Sequence, residues 1–150
     1  KELEIKPRKG FLEFFHEVRT MGIKCTIGSL TNREQALTLL EKSGIGKLFG
    51  YENIVLREDV QNPKPSPDVW IATARKANVE PRQQLIFEDS PRGIQGAICI
   101  GAYCIGMPIY NRPDTIQELV KEGAQRVFMC WSEINPQKLI ENVNEERFSG

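Results

Sequence analysis

Three apolar residues, Leu85-Ile86-Phe87, run into two adjacent carboxylates, Glu88 and Asp89, and then into Ser90-Pro91-Arg92-Gly93. A short apolar run bounded by turn residues reads as a buried strand. The proline suits the first turn of a helix, and the apolar pattern from Ile94 to Ile100 continues one. Strand, tight turn and returning helix form the repeating unit of a parallel sheet with both faces covered. In open α/β sheets, ligands bind outside the carboxyl ends of the strands, which is where Glu88 and Asp89 fall. Unit charges about 4 Å apart interact by roughly 4 kcal/mol at an effective dielectric near 20. Arg92 is the nearest cation along the chain. A hard cation such as Mg²⁺, which takes carboxylate oxygens and keeps its waters, relieves that repulsion. Taken alone, the pair reads equally as two solvated acids in a loop.

The rest of the chain repeats the unit. Phe11, Phe14, Phe15, Val18 and Met21 recur at helical spacing, so the pattern predicts a helix over Pro7 to Met21, stopped by Gly22. Ile23 to Gly28 reads as a strand, ending in the polar turn Ser29-Leu30-Thr31-Asn32. A helix follows from Arg33 to Lys42, ended by Gly44. A second strand is expected over Asn53 to Leu56, then a polar loop from Arg57 to Pro67. A helix over Asp68 to Ala77 leads to a third strand, Gln84 to Phe87, and a helix over Gly93 to Ile100. A fourth strand is expected at Tyr103 to Met107 and a helix at Thr115 to Glu122, capped by Asp114. A fifth strand at Arg126 to Cys130 and a helix at Pro136 to Val143 precede a frayed tail, Asn144 to Gly150. Alternating strands and helices predict an α/β fold, a Rossmann-like parallel sheet with helices on both faces.

A length of 150 residues suits one domain. Twenty basic and twenty acidic residues cancel, which argues against nucleic acid or an anionic membrane as partner. No apolar run reaches a membrane span, and none has the layout of a signal peptide. Cys25, Cys99, Cys104 and Cys130 form no C-x-x-C pair, so buried free thiols in a reducing, cytoplasmic setting are expected and a zinc site is not. The single histidine, His16, reads as a partly exposed helix residue rather than a base. Trp70 and Trp131 read as packing residues. The charges of Arg8-Lys9 and Arg57-Glu58-Asp59 read as solvated faces.

Three stretches fall just after strands. Ser29-Leu30-Thr31 offers a hydroxyl and backbone amides leading into a helix N-terminus, a phosphate cradle; plain helix capping is the commoner use of such residues. In Asn62-Pro63-Lys64-Pro65-Ser66-Pro67-Asp68, prolines flank Lys64 and stiffen its loop. That suits a cation aimed at an anion, and it equally suits a loop stabilised through its unfolded state. Glu88-Asp89 is the third. Together they supply hydroxyl, cation and carboxylate pair, the parts for holding a phosphoryl group.

The order and spacing of these stretches resemble the haloacid dehalogenase-like superfamily of phosphohydrolases, within it the branch of β-phosphoglucomutase and small-molecule phosphatases. Lys24-Cys25-Thr26-Ile27-Gly28-Ser29 matches the second family motif and Lys64-Pro65-Ser66-Pro67-Asp68 the third. Phe87 to Gly93 matches the fourth, and Gly96-Ala97 and Gly101-Ala102 fit the helix and strand that follow. The resemblance runs from Lys6 to about Met129. It implies that Ser29 would bind the transferring phosphoryl oxygens, with Leu30 and Thr31 lending backbone amides. Lys64 would bridge phosphate and nucleophile. Asp89 would ligate Mg²⁺, with Glu88 ligating directly or through water. The implied activity is Mg²⁺-dependent hydrolysis of a small phosphorylated metabolite through an aspartyl-phosphate intermediate.

One departure stands out. The family nucleophile is the first Asp of an Asp-x-Asp motif, and the aspartates here are Asp59, Asp68, Asp89 and Asp114. The helical cap that follows that motif in the family is likewise not in this sequence. The resemblance therefore implies that residues 1–150 are part of a core domain, with residues 1–22 the segment returning from the cap. The nucleophile would lie on a strand between those bearing Ser29 and Glu88, in an N-terminal part of the same protein or on another chain. Residues 1–150 alone are then expected not to fold stably as a monomer. A sugar-phosphate mutase, and a non-catalytic relative that binds a ligand or partner, are the alternatives.

Overall fold

The computed structural model describes residues 4–148. Among them, seven α-helices alternate with five strands: α1 (Phe11–Thr20), β1 (Ile27–Gly28), α2 (Arg33–Ser43), α3 (Ile45–Phe49), β2 (Ile54–Val55), α4 (Asp68–Ala77), β3 (Leu85–Glu88), α5 (Pro91–Cys99), β4 (Tyr103–Gly106), α6 (Pro113–Lys121), β5 (Arg126–Val127) and α7 (Pro136–Phe148). Every strand pair is parallel, as the alternation of strands and helices predicts.

The strands fall into two sheets, β1-β2 and β3-β4-β5. β1 pairs Ile27 with Ile54 and Gly28 with Val55. β3 pairs along its whole length with β4, from Leu85 opposite Tyr103 to Glu88 opposite Gly106. The second edge of β1 and the second edge of β3 carry no strand among the described residues. They flank a cleft of about 1440 Å³.

Period-two alternation sorts the strand residues between two layers. Val55, Ile86 and Cys104 are buried on one face against Val69 and Trp70 of α4, Ile94 and Ala97 of α5, and Leu119 of α6. Phe87, Tyr103 and Ile105 turn the other way, onto Leu139 and Val143 of α7, with Phe14 and Trp131. Ile54 and Leu56 meet Phe15, Ala36 and Phe49 on that same side. α1 therefore spans both sheets. Its Phe14 ring meets Phe87 at 5.3 Å and its Phe15 ring meets Phe49 at 4.7 Å. Trp131 packs between Phe11, Phe14 and Phe87 at 4.9–5.1 Å, the packing role its sequence context suggests.

Several boundaries differ from the sequence expectation. Of Ile23 to Gly28, only Ile27–Gly28 is strand, and Arg126 to Cys130 shrinks to Arg126–Val127. α5 begins at Pro91 because Ser90 caps it, its side chain accepting the Gly93 N–H. The cap of α6 is Arg112 rather than Asp114, which lies inside the first turn. α3 has no counterpart in the sequence reading. The expected frayed tail is helical through Phe148; Ser149 and Gly150 lie outside the described residues. All four cysteines are free, but only Cys104 is buried. Burial pushes its thiol up to about 12. No helix among the described residues is long and apolar enough to cross a membrane.

Candidate active site

Ser29 follows β1 directly. Its N–H donates to the Val55 carbonyl at 2.9 Å, extending the β1–β2 ladder by one bond. Its Oγ accepts the Thr31 N–H at 3.4 Å. The cap of α2 is Asn32, whose side chain accepts the Gln35 N–H at 3.0 Å. Helix capping thus does not require the Ser29 hydroxyl.

Lys64 sits in the proline loop, with a cis bond to Pro65. Its Nζ reaches the Oε2 of Glu88 at 2.6 Å and lies 4.8 Å from the centre of the Trp70 ring. Glu88, the last residue of β3, is 7% exposed, which makes it the buried acid among the described residues. Its position in the strand directs it toward α5, where a Cβ on Gly93 would run into its carboxylate. Its Oε1 accepts the N–H groups of Asp89 and Ser90 at 3.0 and 3.2 Å. Burial raises the carboxyl above its ordinary range, the neighbouring Asp89 carboxyl adds to this, and Lys64 opposes it. Asp89 itself is exposed.

Ser29, Leu30, Thr31, Lys64, Glu88 and Asp89 all line the cleft between β1 and β3. Three stretches distant in sequence thus border one cleft, and two of them touch, through Lys64 and Glu88. Asp89 and Glu88 present carboxylate oxygens in mutual contact, and burial together with that contact raises the Glu88 carboxyl. This donor chemistry fits a hard divalent cation. Two carboxylates are a half-site: among the described residues, no three His, Cys, Asp or Glu converge on one point. His16 is exposed on α1 and does not line the cleft.

Some contributors were not legible in the sequence. Arg8 also lines the cleft. It stays solvent-exposed, as the sequence reading expects, and its guanidinium donates to the carbonyls of Met107, Pro108 and Met129 at 3.3–3.4 Å, bracketing the ends of β4 and β5. Glu58 and Asp59 are exposed too, in keeping with a solvated face, and they form surface ion pairs. Arg33 pairs with Asp59 at 2.6 Å and reaches Glu58 at 3.9 Å. Gly93 and Trp70 owe their importance to contacts from other elements, which no local pattern announces.

Residues 1–107 match the family described as haloacid dehalogenase-like hydrolase. This chain belongs to that family. The haloacid dehalogenase-like chain is 29% identical over 133 residues to validoxylamine A 7'-phosphate phosphatase of Streptomyces hygroscopicus subsp. limoneus, covering 85% of this chain and 59% of that protein. It is 29% identical over 141 residues to a phosphorylated carbohydrates phosphatase of Thermotoga maritima, covering 94% of this chain and 61% of the relative. In fold it superposes on a family IA, variant 3 hydrolase from Entamoeba histolytica with a TM-score of 0.84. There it is 22% identical and covers 95% of this chain and 63% of the other. The chain thus spans less than two thirds of the length of each of these relatives.

Proposed function

We propose that this chain provides the phosphate-holding and metal-holding part of a phosphohydrolase acting on a small phosphorylated metabolite, with a phosphorylated carbohydrate the favoured class. The observation that carries this reading is the presence of Ser29, Lys64, Glu88 and Asp89 on one cleft at the carboxyl rim of the strands. Membership of the family and likeness to the validoxylamine A 7'-phosphate phosphatase and the phosphorylated carbohydrates phosphatase support it.

In this reading the Ser29 hydroxyl and the amides of Leu30 and Thr31 hold the phosphoryl oxygens. The Lys64 ammonium, oriented by Glu88, neutralises charge on the phosphoryl group. Asp89 and Glu88 would hold Mg²⁺, which would supply further neutralisation of that charge and a template for it. The nucleophile is an aspartate on an extended segment seated between the open edges of β1 and β3, from an N-terminal part of the same protein or another chain. Attack by that aspartate on phosphorus breaks the ester P–O bond, the metabolite leaves as its alcohol after taking up a proton, and water then cleaves the resulting aspartyl-phosphate to free aspartate and inorganic phosphate, splitting the displacement into two easier steps. A cytoplasmic setting belongs to the same reading and is supported by the free thiols.

Lys64→Ala and Asp89→Asn in the complete natural polypeptide are expected to lower turnover by about 100-fold or more, with the circular dichroism spectrum retained. Release of inorganic phosphate from p-nitrophenyl phosphate and from a panel of sugar phosphates measures it. Turnover unchanged in either variant removes that residue from the site.

A further inference from the structure

We propose that Trp70 is a positioning residue that fixes the Lys64 ammonium in the cleft, a proposal that rests on the role given to Lys64 above. The indole is the third residue of α4 and is 6% exposed. Three separate contacts define it. Its ring centre lies 4.8 Å from Lys64 Nζ. Its N–H donates to the Gly93 carbonyl at 2.9 Å, and a Cβ on that glycine would run into the Glu88 carboxylate. Its six-membered ring fills the space beside Gly28, where a Cβ would stand 3.0 Å from Cζ3; Gly28 immediately precedes Ser29.

One side chain therefore touches Lys64, the backbone against which Glu88 packs, and the residue before Ser29. The glycines are what let it do so. Gly28 and Gly96 each leave the indole a place that a Cβ would crowd, at 3.0 and 3.3 Å. A lysine side chain is long and flexible, and an ion pair alone fixes a distance rather than a direction. The ring face supplies a second point of attachment for the ammonium, and a cation is held most firmly by such a face where water is scarce. An apolar residue of similar bulk fills the same space against Val69 and Ile94 but offers neither a π face nor an N–H. Core packing alone asks only for the bulk.

The test compares Trp70→Phe, which keeps a ring face, with Trp70→Leu, which does not, in the complete natural polypeptide. The readouts are kcat and KM for p-nitrophenyl phosphate and the rate of limited acylation of Lys64, scored by peptide mass spectrometry against the exposed Lys42. A third readout is ¹⁹F NMR of protein labelled with 5-fluorotryptophan, which carries one resonance for each of its tryptophans. Trp70→Leu is expected to raise Lys64 acylation about fivefold and to lower kcat about tenfold at similar KM, with Trp70→Phe recovering most of both. Lys64→Ala is expected to shift the resonance that Trp70→Phe removes. Should Trp70→Leu fail to fold, Trp70→Phe and the Lys64→Ala shift decide between the outcomes. Unchanged Lys64 acylation in folded Trp70→Leu overturns the proposal, as does an unmoved Trp70 resonance in Lys64→Ala. Equal losses in both Trp70 variants that track thermal stability alone also overturn it. Full turnover in Lys64→Ala overturns the role assigned to that lysine, and acylation and NMR then judge the Trp70–Lys64 contact independently.

Discussion

Glu88 accepts three hydrogen bonds, from Lys64 Nζ and from the N–H groups of Asp89 and Ser90. Breaking such an arrangement on one side leaves an acid buried without its counter-ion, which is far costlier than never having buried it. Gly93 is the point at which to break it without touching a polar group. Gly93→Ala drives a methyl group into the Glu88 carboxylate, and α5 cannot retreat because Ile94 and Ala97 are fully buried. The expected cost is about 1–3 kcal/mol, measured as a lower urea midpoint with an unchanged slope. The polar members of the candidate site were legible from sequence through their combination: Ser29 and the Glu88-Asp89 pair at strand ends and Lys64 in a loop stiffened by prolines, each with an ordinary structural use when taken alone. The residues that support them were not. Gly93 reads as an ordinary helix glycine and Trp70 as a core aromatic until β3 and the proline loop are folded against them.

At the level of elements, α4 was read to the residue, because its apolar positions repeat at helical spacing and Asn78 stops it in the left-handed region. β1 was overestimated. A strand is a property of two segments, and Ile23 to Thr26 find no pairing partner among the described residues. α3 is five residues long, too short to show a period. α7 runs past its apolar positions because a tertiary contact holds its end. Glu146 accepts from Arg126 and from the Tyr103 hydroxyl, both at 2.6 Å, tying α7 to β4 and β5. The bond from Arg126, then that from Tyr103, holds the Glu146 carboxyl below its ordinary 4.5. A carboxyl with a depressed folded value stabilises the fold above its unfolded value and loses that contribution as pH falls through the folded one. Thermal melts taken downward from pH 4.5 are therefore expected to decline less steeply in Glu146→Gln than in the parent, with the variant the less stable near neutrality.

For the molecule as a whole, the decisive fact is that two parallel sheets share helices without sharing a strand. α1 joins them on one side and Trp70 of α4 on the other, while among the described residues the backbone along both inner edges goes without a ladder. A buried unpaired backbone group costs about 1–3 kcal/mol, against roughly 5–15 kcal/mol for the stability of a typical domain. Residues 1–150 expressed alone are therefore expected to melt without a cooperative monomeric transition by circular dichroism; a sharp, reversible melt at low concentration would count against this. The direction in which those edges look has a further effect. An exposed strand edge usually templates growth, one molecule after another. Here the outward edges belong to β2 and β5, each only two residues long, and the longer edge of β3 looks inward across the cleft toward β1. A single inserted strand would satisfy both inner edges and leave this surface nothing to extend, so association through it would terminate at one-to-one stoichiometry instead of propagating into a fibril.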